Sequence, residues 1–248
     1  MQIQVREIDL PVDGASLRVR VASPKAAGRY PGIIFYSEIF QLTGPIRRSM
    51  ERLAGHGFVV AAPEIFRRIE APGAVWAYDD AGRVRGLADA KRTAVAEHDR
   101  DRVAVLDFLN ADPAVQPGRL GAMGFCIGGH LALRAALDPR TRACVALYPT
   151  GVHDGALGSD ADAGTLARLP EVAGSLYLVF GTQDPHVPPA GRLAIARALA
   201  PLDARVRIEH YPGEHAFMRD EGARFDPALT DHVFAEAVAF LRERTADP

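Results

Sequence analysis

Lysine is nearly missing from this 248-residue chain. Only Lys25 and Lys91 stand among 29 basic residues, and arginine supplies the rest. With 31 acidic residues the formal net charge is −2. There is thus no basic surplus to hold a polyanion and no electrostatic support for nucleic acid as a partner. Cysteine is as scarce. Cys126 and Cys144 cannot build a disulfide framework, and both lie in apolar surroundings that suit a reducing compartment. No apolar run approaches the ~20 residues of a membrane span. The opening MQIQVREIDL is interrupted by Arg6, Glu7 and Asp9, so it has no signal-peptide core. The expectation is a soluble cytoplasmic protein with no membrane contact. No repeat is present, no pair of histidines or cysteines has metal-ligand spacing, and no glycine run spells a dinucleotide or phosphate-loop fingerprint. Neither metal nor cofactor is therefore expected. No exposed apolar stripe stands out, so the default is a monomer.

What the chain does contain is an ordinary globular composition, 48% apolar and 24% charged. The length fits one domain over 1–248. Ile3, Val5 and Ile8 lead to Asp13-Gly14, and Leu17, Val19 and Val21 alternate beyond it, which predicts an antiparallel hairpin. A wholly apolar run follows at 32–36, with largely apolar runs at 58–63, 120–125, 143–148 and 175–180 and a last strand at 206–211. Such runs read as strands buried on both faces. Helices are predicted over 44–57, 91–110, from Gly128, over 189–200, and from Asp226-Pro227 with a stripe of Val233, Phe234, Ala237, Val238 and Leu241. In the 91–110 helix, Val103, Leu106 and Leu109 are assigned to the inner face and Asp99, Arg100 and Asp101 to the wet one. Pro72, Gly73, Gly82 and Gly86 break any pattern in 67–90, which reads as a loop or short lid. Alternating buried strands and helices argue for an α/β fold: a mostly parallel sheet, helices on both faces, and ligands at the carboxyl ends of the strands.

Three loops at such ends carry chemistry. Gly124-Phe125-Cys126-Ile127-Gly128-Gly129 leaves a strand and opens a helix. That is the nucleophile-elbow pattern with cysteine as nucleophile, and the Ile127 amide is then aimed at a developing oxyanion. The plainer explanation is a buried cysteine among glycines needed for packing. Gly181-Thr182-Gln183-Asp184 puts an acid after a strand, where it could orient an imidazole or simply close its own turn. His215 follows the last strand. The order Cys126, Asp184, His215 is that of nucleophile, acid and base in this fold. The thiolate would attack a carbonyl, His215 would carry the proton, and Asp184 would hold the tautomer. His186 and His130 read as bystanders, Cys144 as inert, and Tyr36 as core. Tyr148 ends a strand and is a candidate to line the pocket.

These motifs, with Ser37-Glu38-Ile39-Phe40 and His215-Ala216-Phe217-Met218-Arg219, give a chain that resembles the dienelactone hydrolases (carboxymethylenebutenolidases) of the α/β-hydrolase fold from about residue 10 to 243. The resemblance implies Cys126 as nucleophile, Asp184 as acid and His215 as base, with the amides of Ile39 and Ile127 as oxyanion hole. It also implies that Glu38 accepts a thiol hydrogen bond and takes the proton when substrate binds. From chemistry alone, an ionised carboxylate facing the sulfur would oppose thiolate formation. Arg219 is a candidate clamp for a substrate carboxylate. Relatives acting on dienelactone use a second arginine from the region of 67–90. Arg67, Arg68, Arg83 and Arg85 are the candidates here, with Arg83 and Arg85 preferred as substrate-binding. The Tyr78-Asp79-Asp80-Ala81-Gly82 segment looks like a different branch of the family, which leaves a plainer ester or lactone open as substrate. The expected activity is hydrolysis of a lactone or small ester. The competing classes are a non-catalytic ligand-binding protein of the same fold and a thiol-redox protein.

Overall fold

The computed structural model describes residues 1–246. Strands β1 (Ile3–Val12) and β2 (Ala15–Pro24) form the predicted antiparallel hairpin, with Val12 opposite Ala15. The two turn residues, Asp13 and Gly14, have φ of 53° and 73°. A two-residue turn with both centres at positive φ matches the twist of the flanking strands. Strands β3 (Tyr30–Tyr36), β4 (Val59–Pro63), β5 (Val115–Phe125), β6 (Thr141–Leu147), β7 (Ser175–Gly181) and β8 (Val206–Tyr211) complete one eight-stranded sheet. Its order is β1-β2-β4-β3-β5-β6-β7-β8, antiparallel from β1 to β4 and parallel from there on. This is the α/β architecture expected from the alternation of elements.

The helices are α1 (Gly44–Gly55), α2 (Asp80–Arg92), α3 (Val95–Ala111), α4 (Ile127–Ala136), the short α5 (Thr165–Arg168), α6 (Pro189–Leu199) and α7 (Pro227–Thr245). Strand alternation divides the core in two. Ile33 and Phe35 join Met50 and Leu53 of α1 and Val233 and Phe234 of α7. Ile34 joins Val105, Leu106 and Leu109 of α3, Leu131 of α4 and Ile195 of α6 on the other face. Both faces of the sheet's centre are thereby covered, which is why the inner strands β3 to β7 carry apolar runs, while the edge strands β1 and β8 are more exposed and mixed in polarity. Among the described residues no helix is long and apolar enough to cross a membrane.

Three expectations need correction. The region 67–90 is not wholly irregular, because α2 occupies its second half, capped by the Asp79 carboxylate, which accepts from Gly82 N at 2.7 Å. Its glycines are there for close approach: a Cβ at Gly82 would lie 2.1 Å from Ala77 O, and one at Gly86 2.4 Å from Ile39 O. Next, the helix expected over 91–110 is two helices, α2 and α3, broken at Thr93-Ala94. Finally, in α3 Leu106 and Leu109 lie on the buried face and Arg100 on the exposed one as assigned, but Val103 and Asp101 are exchanged. Val103 is exposed, while Asp101 is buried and receives Arg67 and Arg68.

Candidate active site

The elbow between β5 and α4 is as tight as its glycines suggest. A Cβ at Gly124 would sit 2.0 Å from Gly128 O, and one at Gly128 would sit 2.3 Å from Ser37 O. Cys126 itself has φ 58° and ψ −122°, a strained backbone for a residue with a side chain. The strain is held by the surroundings. Cys126 N donates to Leu147 O at 3.0 Å, and Cys126 O accepts from Gly129 N and Thr150 N at 3.0 and 3.2 Å. Ile127 opens α4, and an amide in the first turn of a helix has no intrahelical acceptor.

Asp184, just past β7, is buried and uses both oxygens. Oδ1 accepts from His186 N at 2.8 Å and Oδ2 from His215 Nδ1 at 2.7 Å. Burial pushes its carboxyl upward, but the hydrogen bond and charge of His215 win and hold it below the ordinary value. With Nδ1 donating to a carboxylate, the other ring nitrogen of His215 is left for the nucleophile. Burial disfavours the imidazolium, yet the charge of the Cys126 sulfur, the Asp184 hydrogen bond and a hydrogen bond to Cys126 push His215 up to about 10. Thr182 N and Gln183 N donate to Tyr211 O and Gly213 O at 2.7 and 3.1 Å, tying the acid turn to the histidine loop. The three residues expected from chain order thus converge.

Glu38 follows β3 in a turn closed by Gln41 N to Glu38 O at 3.0 Å, with Ile39 in that turn. The carboxyl is buried, and burial raises its pKa despite the nearby charges of Arg219 and His215 and a Tyr78 hydrogen bond. Among the described residues its Oε2 has no hydrogen-bond partner, and Arg219 Nη1 stands 3.7 Å away. The Arg219 guanidinium lies over the Tyr78 ring at 4.1 Å and the Phe40 ring at 5.7 Å. Tyr78 OH and Thr43 Oγ1 share a hydrogen bond of 2.5 Å. Phe40 and Tyr78 pack edge to face at 4.7 Å. Neither Tyr78 nor Phe40 was assigned a role from sequence, because only the tertiary fold brings α2 and its approach loop onto the turn after β3.

The other candidates fall in different places. Tyr148 is fully buried and packs edge-on against His215 at 5.2 Å, so it backs the imidazole instead of facing solvent. Arg67 and Arg68 are taken up by Asp101. Arg85 is bonded to Glu70, and Arg83 is exposed with Asp80 at 3.6 Å. His186, read as a bystander, has its ring 4.6 Å from that of His215. Sequence spacing gives no sign of that edge-to-face contact. Cys144 is buried and burial pushes its thiol upward. Among the described residues no group of three or more histidine, cysteine, aspartate or glutamate side chains is placed to hold a metal ion.

Comparison with known proteins adds the following. Residues 17–245 match the model of the family described as "Dienelactone hydrolase family". The chain is 38% identical over 227 residues to a Saccharomyces cerevisiae protein named "Putative carboxymethylenebutenolidase", covering 88% of this chain and 83% of that one. It is 25% identical over 218 residues to a Pseudomonas protein named "Carboxymethylenebutenolidase", covering 88% and 86%. Its fold matches the crystal structure of a "Putative Dienelactone Hydrolase" from Klebsiella pneumoniae with a TM-score of 0.84 at 24% identity, over 98% of this chain and all of that one.

Proposed function

Because the chain belongs to the dienelactone hydrolase family, and is a hydrolase of that kind, we propose that it opens a lactone or cleaves a small carboxylic ester through an acyl-enzyme on Cys126. The observation that carries this reading is the buried Asp184–His215 hydrogen bond of 2.7 Å, with His215 coupled in turn to the Cys126 sulfur.

The chemistry follows from these groups. The Cys126 thiolate attacks the carbonyl carbon, and the oxyanion that forms is met by the amides of Ile39 and Ile127. The C–O bond then breaks, and the imidazolium of His215 gives its proton to the leaving oxygen. In a lactone that oxygen stays on the same molecule as a hydroxyl. Once the sulfur is a thioester it carries no charge and accepts no hydrogen bond from an imidazolium. Two of the causes that hold His215 near 10 disappear at that step. The ring becomes a base able to take a proton from water. That water attacks the thioester, the C–S bond breaks, and the thiolate returns. Asp184 keeps Nδ1 protonated throughout. Burial raises the proton affinity of the Glu38 carboxylate; when it is ionised beside Arg219 it takes the thiol proton in place of His215, and that same proton, not a second one, is the one owed to the leaving oxygen. Arg219 offers the fork for a substrate carboxylate.

Hydrolysis of p-nitrophenyl acetate and of a dienelactone by wild type, Cys126→Ala and Cys126→Ser tests the reading. Turnover by wild type with Cys126→Ala inactive is expected. A preference for the dienelactone supports an anionic substrate. A stoichiometric burst without turnover would favour a protein that binds and traps its ligand. Full activity in Cys126→Ala would make the elbow cysteine structural.

A further inference from the structure

A second polar group reaches the sulfur. Thr150, three residues past the end of β6, has its Oγ1 3.8 Å from Cys126 Sγ, and its amide donates to Cys126 O at 3.2 Å. Behind it runs a chain of buried polar contacts whose direction can be worked out. The Thr150 carbonyl can only accept, so His130 Nδ1, 3.0 Å away, must carry the proton. Burial forces His130 down to about 3, so the ring is neutral and its Nε2 is an acceptor. Thr165 Oγ1, at 2.8 Å, must then donate to Nε2. Thr165 Oγ1 itself accepts from Arg134 Nη1 at 2.8 Å, and Arg134 is anchored on Asp99 at 2.5 Å. Each donor and acceptor along this path has one permitted role. The path ends by fixing the backbone of Thr150, and its hydroxyl is left facing the sulfur with no other protein partner among the described residues.

Resting on Cys126 as nucleophile, we propose that Thr150 is a further residue of the reaction, and that its hydroxyl donates a hydrogen bond to the Cys126 thiolate. A thiolate can only accept, so when the sulfur is charged the hydroxyl must be the donor. The other ionisable groups that interact with the sulfur are His215 after β8 and Tyr148 after β6, and Glu38 after β3 interacts with both of these. Neither carboxylate nor phenolate would stabilise the anion. Thr150 therefore shares the work with His215. Its contribution applies to the free thiolate, before attack and again when the C–S bond breaks.

The test compares wild type, Thr150→Val and Thr150→Ser. Valine keeps the shape of threonine and both backbone bonds, so folding is checked by circular dichroism and thermal melting. The rate of Sγ alkylation by iodoacetamide is followed against pH. This reads the thiolate directly and does not depend on the substrate guess. In Thr150→Val the alkylation profile should move to higher pH, with the rate at pH 7 falling about threefold to tenfold. Thr150→Ser should recover to within about twofold of wild type. An unshifted profile in a folded Thr150→Val overturns the proposal. A shift that serine does not rescue also overturns it, since packing would then be the cause. Cys126→Ala separates this from failure of the reading beneath it: if that variant keeps both alkylation and esterase activity, Cys126 is not the nucleophile.

Discussion

Removing the carboxylate of Asp101 should be among the costliest single changes outside the candidate site. Its side chain is 7% exposed and that of Arg67 is 3% exposed. Arg67 reaches it through Nε and Nη2 at 3.0 and 2.9 Å, and Arg68 through Nη1 and Nη2 at 2.8 and 2.9 Å. Arg67 also donates to Val12 O and Ser16 O of the hairpin. The cluster thus ties β1–β2, the segment after β4, and α3 to one another. In Asp101→Ala the Arg67 guanidinium stays buried with two carbonyls and no counter-charge. Breaking a buried pair in this way costs about 3–5 kcal/mol. For a chain of this size each kcal/mol lowers Tm by about 2–4 °C, so a drop of roughly 6–20 °C is expected. Replacing both partners, as in Arg67→Met with Asp101→Leu, should recover most of the loss, because no uncompensated charge remains. Thermal unfolding by circular dichroism, paired with urea denaturation, measures both variants. A loss below about 1 kcal/mol in Asp101→Ala would mean that the pair behaves like an exposed one, and the burial argument would fail.

Three further outcomes are expected. Arg219→Gln should raise KM for a carboxylate-bearing lactone about tenfold to a hundredfold while leaving p-nitrophenyl acetate nearly unaffected, and equal changes on both substrates would remove the clamp. Asp184→Asn should lower kcat by on the order of a thousandfold or more, through loss of the tautomer that leaves a free nitrogen facing the sulfur. The Asp184 carboxyl is held below its ordinary 3.8, so its ionised form stabilises the fold above that pH and the gain fades as pH falls through the lowered value. Urea unfolding should therefore show wild type more stable than Asp184→Asn at pH 5–7 and the gap closing below about pH 4. A gap that stays constant down to pH 3 would contradict the assigned ion pair.

The sheet and the candidate triad were legible because one-dimensional signals carry them. A strand buried on both faces is apolar throughout, as at Ile33-Ile34-Phe35, and each candidate residue sits at the carboxyl end of such a run. The glycines at 124 and 128 could be read because the elbow needs them within four residues of one another. Helix α2 could not, since its glycines looked like breakers. Gly86 is in fact small so that α2 can lie against Ile39 O, a contact between segments some fifty residues apart. Asp101 misled for a related reason: a charged residue on a helix is ordinarily wet, and its two arginine partners lie more than thirty positions upstream. Glu38 carries no local pattern at all, and only the resemblance pointed to it. Tyr78, His186 and Thr150 touch the site purely through tertiary packing, and no spacing rule could have linked them to it.

Asp101 and Glu38 together show how differently one chain treats two buried carboxylates. Asp101 receives hydrogen bonds from two guanidinium groups on both its oxygens. Glu38 has an arginine beside it as well, but at 3.7 Å, outside hydrogen-bond reach, and its Oε2 is left without a partner. Among the described residues Arg219 Nε and Tyr148 OH are likewise unpartnered and buried in the same neighbourhood. A buried polar atom left unpaired costs about 1–3 kcal/mol, so a fold selected for stability alone would close these contacts as it does around Asp101. The Arg219 guanidinium is instead drawn over Tyr78, which holds it near the carboxyl without bonding it. A tight Arg219–Glu38 pair would lock the carboxylate in its charged form and occupy the fork. Held apart, Glu38 remains free to take a proton and Arg219 to take an anion. Those are the two tasks the proposed mechanism requires of them.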